Sequence, residues 1–102
     1  MYKIHSEYPD LDKYAYNRGD FFYVKKDINI FHNPYGPSYI GKDGYKDYRI
    51  EGLWHRLDGP ARIFLDGKEE YWINSKRLSK EQFEVDPERF KLLGKEYLIC
   101  LL

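Results

Sequence analysis

The chain has 102 residues, which is enough for one domain with a modest hydrophobic core. Its 17 Lys and Arg residues balance its 17 Asp and Glu residues, and both signs are interspersed along the sequence. This pattern excludes the continuous basic stripe that suits a nucleic-acid backbone, and it excludes an acidic tract that imitates DNA. Aromatic residues make up 19% of the chain, a share that suits half-buried β-sheets and also binding surfaces.

The first 29 residues are expected to form an arm and a hairpin. Residues 1–13 lack a clear period and predict an irregular N-terminal arm. Residues 14–29 predict a β-hairpin, because two aromatic segments flank a turn signal at Asn17–Asp20. Only the strand–turn–strand rhythm of this hairpin matches the units that follow, so it is either a degenerate repeat or an unrelated hairpin.

Residues 30–52 and residues 53–75 are two copies of one unit at an offset of 23 positions. Eight of the 23 aligned pairs are identical without a gap. A fixed period of this length is typical of repeat proteins, in which each unit buries its apolar face on its neighbours. The identical pairs that we assign to turns and structure are His32, Gly36, Pro37 and Gly44 in the first unit, and His55, Gly59, Pro60 and Gly67 in the second.

Each unit predicts a β-hairpin that begins after Gly-Pro and turns at Asp-Gly. A three-residue loop with a left-handed glycine, Leu65–Gly67 in the second unit, places the shared apolar residues on one sheet face. A two-residue loop would put Ile63 on the face opposite Tyr71, and so we prefer the three-residue loop. The inward residues are then Ser38, Ile40, Tyr48 and Ile50 in the first unit, and Ala61, Ile63, Tyr71 and Ile73 in the second.

The other face of the predicted sheet differs between the two units. In this register it carries arginine and aromatic side chains, with Arg62 roughly opposite Glu70. Such residues anchor many protein interfaces, so the pattern predicts a binding surface on a repeated scaffold. An equally weighted alternative is that the C-terminal segment covers this face. The candidate binding residues are Tyr39, Arg49, Arg62, Phe64 and Trp72.

The period becomes helical near the C-terminus. Ser79 and Gln82 have the spacing of a capping box, which predicts a short helix to about Val85. Asp86-Pro87 predicts the start of a second helix, and Gly94 predicts its end.

The last eight residues are expected to form a strand or an extended buried tail. Cys100 is the only cysteine, which excludes an intrachain disulfide, and it is expected to be a small buried hydrophobe. Residues 76–102 as a whole are expected to cap the open edge of the sheet.

These elements together predict a mainly β (α+β) fold, an antiparallel β-meander of stacked hairpin repeats with a short helical C-terminal cap. The chain is expected to be a single domain over residues 1–102. Its parts are an arm (1–13), a hairpin (14–29), repeat 1 (30–52), repeat 2 (53–75) and a helical cap with an apolar tail (76–102).

The second unit resembles the units of MORN-like repeat proteins, whose pattern reads HRxDGPA…DGxxxWxxNGK. The likeness covers about residues 30–85 and is carried by Trp54–Ala61 (WHRLDGPA), Asp66-Gly67 and Tyr71–Asn74 (YWIN). The first unit departs from the pattern at several positions. It has Asn33, Ser38 and Arg49 where the pattern has Arg, Ala and Trp.

The resemblance implies a β-meander used for contacts rather than for chemistry, as in many small proteins of bacteria and tailed phages. It further implies a phage accessory protein that binds and modulates a host or defence protein in the host cytoplasm. Function inferred from likeness of fold is an analogy, so these implications are expectations.

Two histidines at one repeat position are the main candidates for chemistry. His32 and His55 could bind a metal or act as a base, but repetition at a fixed position favours a role in the turn. His55 with Arg56 and Asp58 also has the residue types of a small nuclease, although Asp58 more simply belongs to the turn. We therefore predict no catalytic residue, no metal and no cofactor.

The leading functional prediction is a non-catalytic module that binds a protein partner, or a second copy of itself, through the arginine and aromatic face. A binder of single-stranded nucleic acid that stacks bases on Tyr and Trp is the first alternative. A nuclease that uses His55 is the second. The sequence has no signal-peptide core and no run of membrane-spanning length, so we expect a cytoplasmic protein that does not enter a membrane.

Overall fold

The core of the fold is one antiparallel sheet in which the strands follow each other in sequence order, as the computed structural model shows. The structure describes the backbone of residues 1–101 and the side chains of residues 1–94. Eight strands form the sheet, β6 and β7 form a separate pair, and two helices follow. The predicted mainly β meander is therefore confirmed. The elements are β1 (Tyr2–Ile4), β2 (Leu11–Ala15), β3 (Phe21–Lys25), β4 (Tyr39–Ile40), β5 (Lys46–Asp47), β6 (Arg49–Ile50), β7 (Leu53–Trp54), β8 (Arg62–Ile63), β9 (Glu69–Ile73), β10 (Lys76–Leu78), α1 (Lys80–Val85) and α2 (Pro87–Leu101).

The N-terminal arm is not irregular, and the prediction for residues 1–13 is wrong. Strand β1 pairs with β2, with Tyr2 opposite Ala15. The segment after Tyr8 is a turn that joins β1 to β2, and the amide of Leu11 donates to the carbonyl of Tyr8 at 3.2 Å. The connecting segment is held by the Tyr23 hydroxyl, which donates to the Glu7 carboxylate, and by the ring of Tyr8 stacked 4.7 Å from that of Tyr35.

The hairpin loops of both repeats have three residues, as predicted. In the second unit the amide of Phe64 donates to the carbonyl of Lys68 at 2.9 Å, which closes the loop Leu65–Gly67. The loop ends at Gly67 with φ +88°, and the equivalent Gly44 has φ +105°. Glycine is needed at these positions because a side chain at positive φ is strained. The resulting register places Arg62 opposite Glu70.

The hairpin of β2 and β3 is built like those of the two repeats. The amide of Tyr16 donates to the carbonyl of Asp20, and Gly19 closes the loop at φ +106°. Its strand β3 joins the repeats directly, since the amide of Tyr23 donates to the carbonyl of Ser38. The amide of Tyr48 makes the same bond to Ala61 one unit later. The three hairpins therefore stack in one way, although the first shares little sequence with the other two.

The inward face predicted for the repeats meets the helices. Ser38, Ala61 and Ile73 are buried, and the other five predicted inward residues are half-buried. The ring of Phe83 in α1 lies 4.7 Å from that of Tyr71. The buried cluster at this end of the sheet consists of Leu57, Ile73, Leu78 and Phe83, with Tyr71, Leu92 and Leu93 packed against it.

Both predicted helix starts are confirmed. Ser79 and Gln82 make the capping box, with bonds of 3.1 and 2.9 Å between side chain and backbone. The carboxylate of Asp86 accepts the amide of Arg89 at 2.9 Å, and Pro87 is the first residue of α2. At the start of a helix aspartate accepts the free backbone amides, and proline has no amide that would need an acceptor. The Asp-Pro pair therefore favours a helix start for a physical reason.

The predicted end of α2 is wrong. The helix continues through Gly94 to Leu101, where a strand or an extended tail was expected. Glycine in a helix costs about 1 kcal/mol relative to alanine and does not by itself end the helix, and good helix formers lie on both sides of it. The expected burial of Cys100 lies outside the described side chains.

Two glycine substitutions are expected to change stability in opposite directions. Gly67→Ala should lower the free energy of unfolding by about 1–2 kcal/mol, because alanine is strained at positive φ. Gly94→Ala should raise it by up to about 1 kcal/mol, because alanine is the better helix former. An added Cβ meets nothing within 4 Å at either position, so both effects come from the backbone. Urea denaturation of the two variants measures them, and effects of the same sign would contradict the assignment.

Candidate binding surface

One face of the sheet lies opposite the face on which the helices pack. The strand register places its central residues side by side, one from each of β2, β3, β4, β5, β8 and β9. We call this row, together with the side chains packed on it, the outer face. The row consists of Tyr14, Phe22, Tyr39, Asp47, Arg62 and Glu70.

Three of the five predicted binding residues form one cluster on the outer face. The guanidinium of Arg62 lies 4.2 Å from the ring centre of Trp54 and 4.7 Å from that of Phe64. Trp72 packs on Trp54 with ring centres 4.7 Å apart. The carboxylate of Glu70 accepts from Arg62 at 3.1 Å and from the Trp72 indole at 3.0 Å. These bonds hold the cluster in one arrangement.

The other two predicted residues line a neighbouring depression of about 810 Å³. Tyr39 and Arg49 form part of its wall, and the guanidinium of Arg49 lies 4.7 Å from the ring centre of Phe31. Tyr45 connects this depression to the first cluster. Its hydroxyl accepts from Arg62 at 3.1 Å, and its ring centre lies 6.0 Å from that of Tyr39. The five residues therefore belong to one continuous surface.

Three carboxylates lie beneath the arginines of the outer face. Asp47 is buried and accepts from the hydroxyl of Ser38 at 2.8 Å, the hydroxyl of Tyr45 at 3.1 Å and the guanidinium of Arg49 at 3.3 Å. Glu70 has the contacts given above and also lies 3.5 Å from Arg77. Each carboxylate is thus satisfied from within the protein and orients at least one arginine.

Asp20 is the third of these carboxylates, and its pKa is strongly lowered. The backbone amide of Lys42 donates to it at 2.8 Å, and the hydroxyl of Tyr39 and the guanidinium of Arg18 each donate at 2.7 Å. These donors favour the charged form and bring its pKa to about 2. Burial raises the pKa of the Tyr39 and Tyr45 hydroxyls, so both remain neutral donors at physiological pH.

Removing the Tyr39 hydroxyl is expected to raise the pKa of Asp20 from about 2 towards its ordinary 3.8. A lowered folded-state pKa contributes stability above the unfolded pKa, and that stability is lost as pH falls through the folded value. In Tyr39→Phe the folded-state pKa of Asp20 should lie closer to its unfolded value, so the pH range over which Asp20 changes the free energy of unfolding should become narrower. The carboxyl ¹³C shift of Asp20 measures its midpoint. Tyr45→Phe is the control, and an unchanged midpoint in Tyr39→Phe would refute the assigned bond.

Both repeat histidines bind the turn that ends their own unit. The Nδ1 atom of His32 accepts the amide of Glu51 at 2.8 Å, and that of His55 accepts the amide of Asn74 at 3.1 Å. The two amides belong to residues with φ of 52° and 49°. Because Nδ1 satisfies an amide of a strained turn, the repeated histidine has a structural role in both units.

The Gly-Pro positions are held by the residue that follows each histidine. Asn33 donates to the carbonyl of Pro37 at 3.0 Å, and Arg56 donates to that of Pro60 at 3.1 Å. The first repeat has Asn33 where the second has Arg56, and both side chains donate to the carbonyl of the following repeat proline. Arg56 also binds Asp58 at 3.0 Å. The side chains considered for a nuclease are therefore engaged with one another and with the turn.

Sequence reasoning missed several residues of the outer face. Trp54 and Phe31 precede the repeat histidines, and their shared aromatic character was the available signal. Tyr45 lies two residues before Asp47 and so points to the same face. Arg18 and Arg77 lie outside the two repeats, and no pattern connected them to this face.

Among the described residues, no group of three or more His, Cys, Asp and Glu side chains is placed to hold a metal ion. Within the same part of the chain, no helix combines the length and hydropathy needed to span a bilayer. No protein-family model, curated protein or solved structure matches the chain.

Proposed function

We propose that this protein is a non-catalytic binding module that holds a partner protein on its outer face. The observation that carries the proposal is the organisation of that face. Arginines and aromatic rings are fixed by carboxylates beneath them, while the helices pack on the inward face. Side chains that are already ordered lose little conformational entropy on binding, and arginine and tryptophan are frequent anchors of interfaces.

The resemblance to MORN-like repeats supports the same proposal and suggests the setting. By analogy with such proteins, the proposed setting is that of a phage accessory protein whose partner is a host or defence protein in the host cytoplasm. The turn bonds of the two histidines favour a scaffold over a nuclease, because Nδ1 accepts a backbone amide in each unit.

Quantitative capture from bacterial lysates tests the proposal. The baits are the unaltered chain, the outer-face variant Arg62→Ala/Trp72→Ala and the control Lys46→Ala/Lys80→Ala, whose lysines are exposed away from the outer face. We expect the same partner to be retained by the unaltered chain and by the control, and to be lost from the outer-face variant. Circular dichroism confirms that each bait is folded. Undiminished capture by a folded outer-face variant would show that the outer face is not the binding site.

A second copy of the chain is the main competing occupant of this face. Light scattering during size-exclusion chromatography distinguishes the two. A dimer that Arg62→Ala/Trp72→Ala converts to a monomer would assign the outer face to self-association instead of a partner.

A further inference from the structure

We infer that the partner segment bound by the outer face is acidic, with Asp or Glu carboxylates that meet the exposed arginines. This inference rests on the proposed function and specifies its partner. Its basis is that the two signs of charge lie at different depths. In each ion pair of the outer face the arginine side chain is the more exposed partner: Arg18 is 65% exposed against 14% for Asp20, and Arg77 is 62% exposed against 16% for Glu70. Arg49 is 25% exposed against 2% for Asp47. A partner therefore contacts cations first.

The arginine layer also has more hydrogen-bond donors than the carboxylates beneath it accept. Each guanidinium has five N–H groups and no acceptor. Arg62 donates through Nε to Tyr45 and through one terminal nitrogen to Glu70. Arg49 donates through one terminal nitrogen to Asp47. The remaining N–H groups of these arginines can bind further acceptors. A carboxylate suits a guanidinium because the two groups form two parallel hydrogen bonds.

Single-stranded nucleic acid is a poorer fit, although its phosphates are also anions. Base stacking requires free ring faces. Guanidinium groups already lie over those rings: Arg18 is 4.4 Å from the ring centre of Tyr16, Arg49 is 4.7 Å from that of Phe31, and Arg62 is 4.2 Å from that of Trp54.

A second copy of the chain is also disfavoured by charge. If two outer faces met, the exposed Arg18 and Arg77 of one copy would approach those of the other, because their partners Asp20 and Glu70 are much less exposed. Like charges in contact oppose association. An acidic segment of a different protein avoids this repulsion.

NMR titration of the full ¹⁵N-labelled chain tests the inference. The probe is a random copolymer of glutamate and tyrosine, and an oligothymidylate and a copolymer of lysine and tyrosine are titrated in parallel. We expect the acidic copolymer to shift the Nε–Hε signals of Arg18, Arg49 and Arg62, with binding that weakens as salt is added. The basic copolymer should leave them unchanged.

The decisive variant reverses the two most exposed arginines, Arg18→Glu/Arg77→Glu. The control, Lys46→Glu/Lys80→Glu, makes the same change in net charge elsewhere on the surface. We expect binding of the acidic copolymer to weaken about tenfold or more in the first variant and little in the control. Equal weakening in both variants, shifts outside the outer face, or tighter binding of the oligothymidylate would each overturn the inference.

Competition during lysate capture separates this inference from the proposed function. If outer-face variants lose the partner but the acidic copolymer does not displace it, the proposed binding function is supported and the inference of an acidic partner segment is wrong. If the variants retain the partner, the proposed function fails. If the copolymer displaces a partner that the outer-face variants also lose, both are supported.

Discussion

Phe83→Ala is expected to lower the free energy of unfolding by about 3–5 kcal/mol, the usual range when a buried phenylalanine is truncated. Phe83 is 4% exposed and is the buried residue of α1. It contacts Tyr71 and belongs to the cluster that joins the helices to the end of the sheet. A six-residue helix is not stable alone, so α1 depends on this contact.

Arg89 strengthens the same junction from the second helix. Its guanidinium lies 4.2 Å from the ring centre of Phe83, and its Nε donates to the carbonyl of Leu57 at 2.7 Å. Truncating Phe83 therefore removes apolar contacts and also the surface on which Arg89 rests. The cap should separate from the sheet before the repeats themselves unfold.

Urea denaturation followed by far-ultraviolet circular dichroism measures the loss. Phe90→Ala is the matched control, because Phe90 lies on α2 with 53% of its surface exposed. We expect the control to stay within about 0.5 kcal/mol of the unaltered chain, as is usual for surface positions. A loss below 1 kcal/mol for Phe83→Ala, or equal losses in the two variants, would show that the cap is not held by this cluster.

The repeats were the most predictable part of the fold because alternation and turn chemistry point to one register. Placing Ile63 with Tyr71 required the three-residue loop, and that loop puts Arg62 opposite Glu70, as observed. Strand β1 could not be predicted in this way. Its three residues are stabilised by pairing with β2 across a connecting segment, and such pairing leaves no local period in the sequence.

The continuation of α2 was missed for a different reason. Glycine ends a helix only where the chain adopts positive φ and the last carbonyls find other partners. Gly94 is not among the positive-φ residues of the described chain, so it remains an ordinary helical position. The residue type alone does not distinguish these two cases.

From the sequence, the members of the outer face could be predicted only within a single hairpin. Arg62 in β8, Phe64 directly after it and Trp72 in β9 follow the alternation of one hairpin and so were assigned to one face. Trp54 comes from the separate pair of β6 and β7, and its position over Arg62 follows from the three-dimensional arrangement of two hairpins. The burial of Asp47 was also missed, because a charged residue on an outward position is ordinarily exposed.

Asp47→Ala is expected to destabilise the protein by about 3 kcal/mol, near the lower end of the range for breaking a buried ion pair, since Arg49 is partly exposed. The substitution removes the acceptor shared by Ser38, Tyr45 and Arg49. Ser38 is fully buried, so its hydroxyl would lose a partner where water does not reach. Thermal and urea unfolding measure the effect.

Asp47→Asn separates the charge from the hydrogen bonds. Asparagine fills the same volume and keeps one acceptor oxygen for the Ser38 hydroxyl, so the expected loss is about 1–2 kcal/mol. Asp66→Ala, at an exposed loop position, removes only the bond to the Lys68 amide and should cost about 1 kcal/mol or less. If Asp47→Ala were no more destabilising than Asp66→Ala, Asp47 would not organise the outer face. If the predicted order holds, the residue that orients Arg49 for a partner is also one that the fold requires, and binding and stability would decline together at this position.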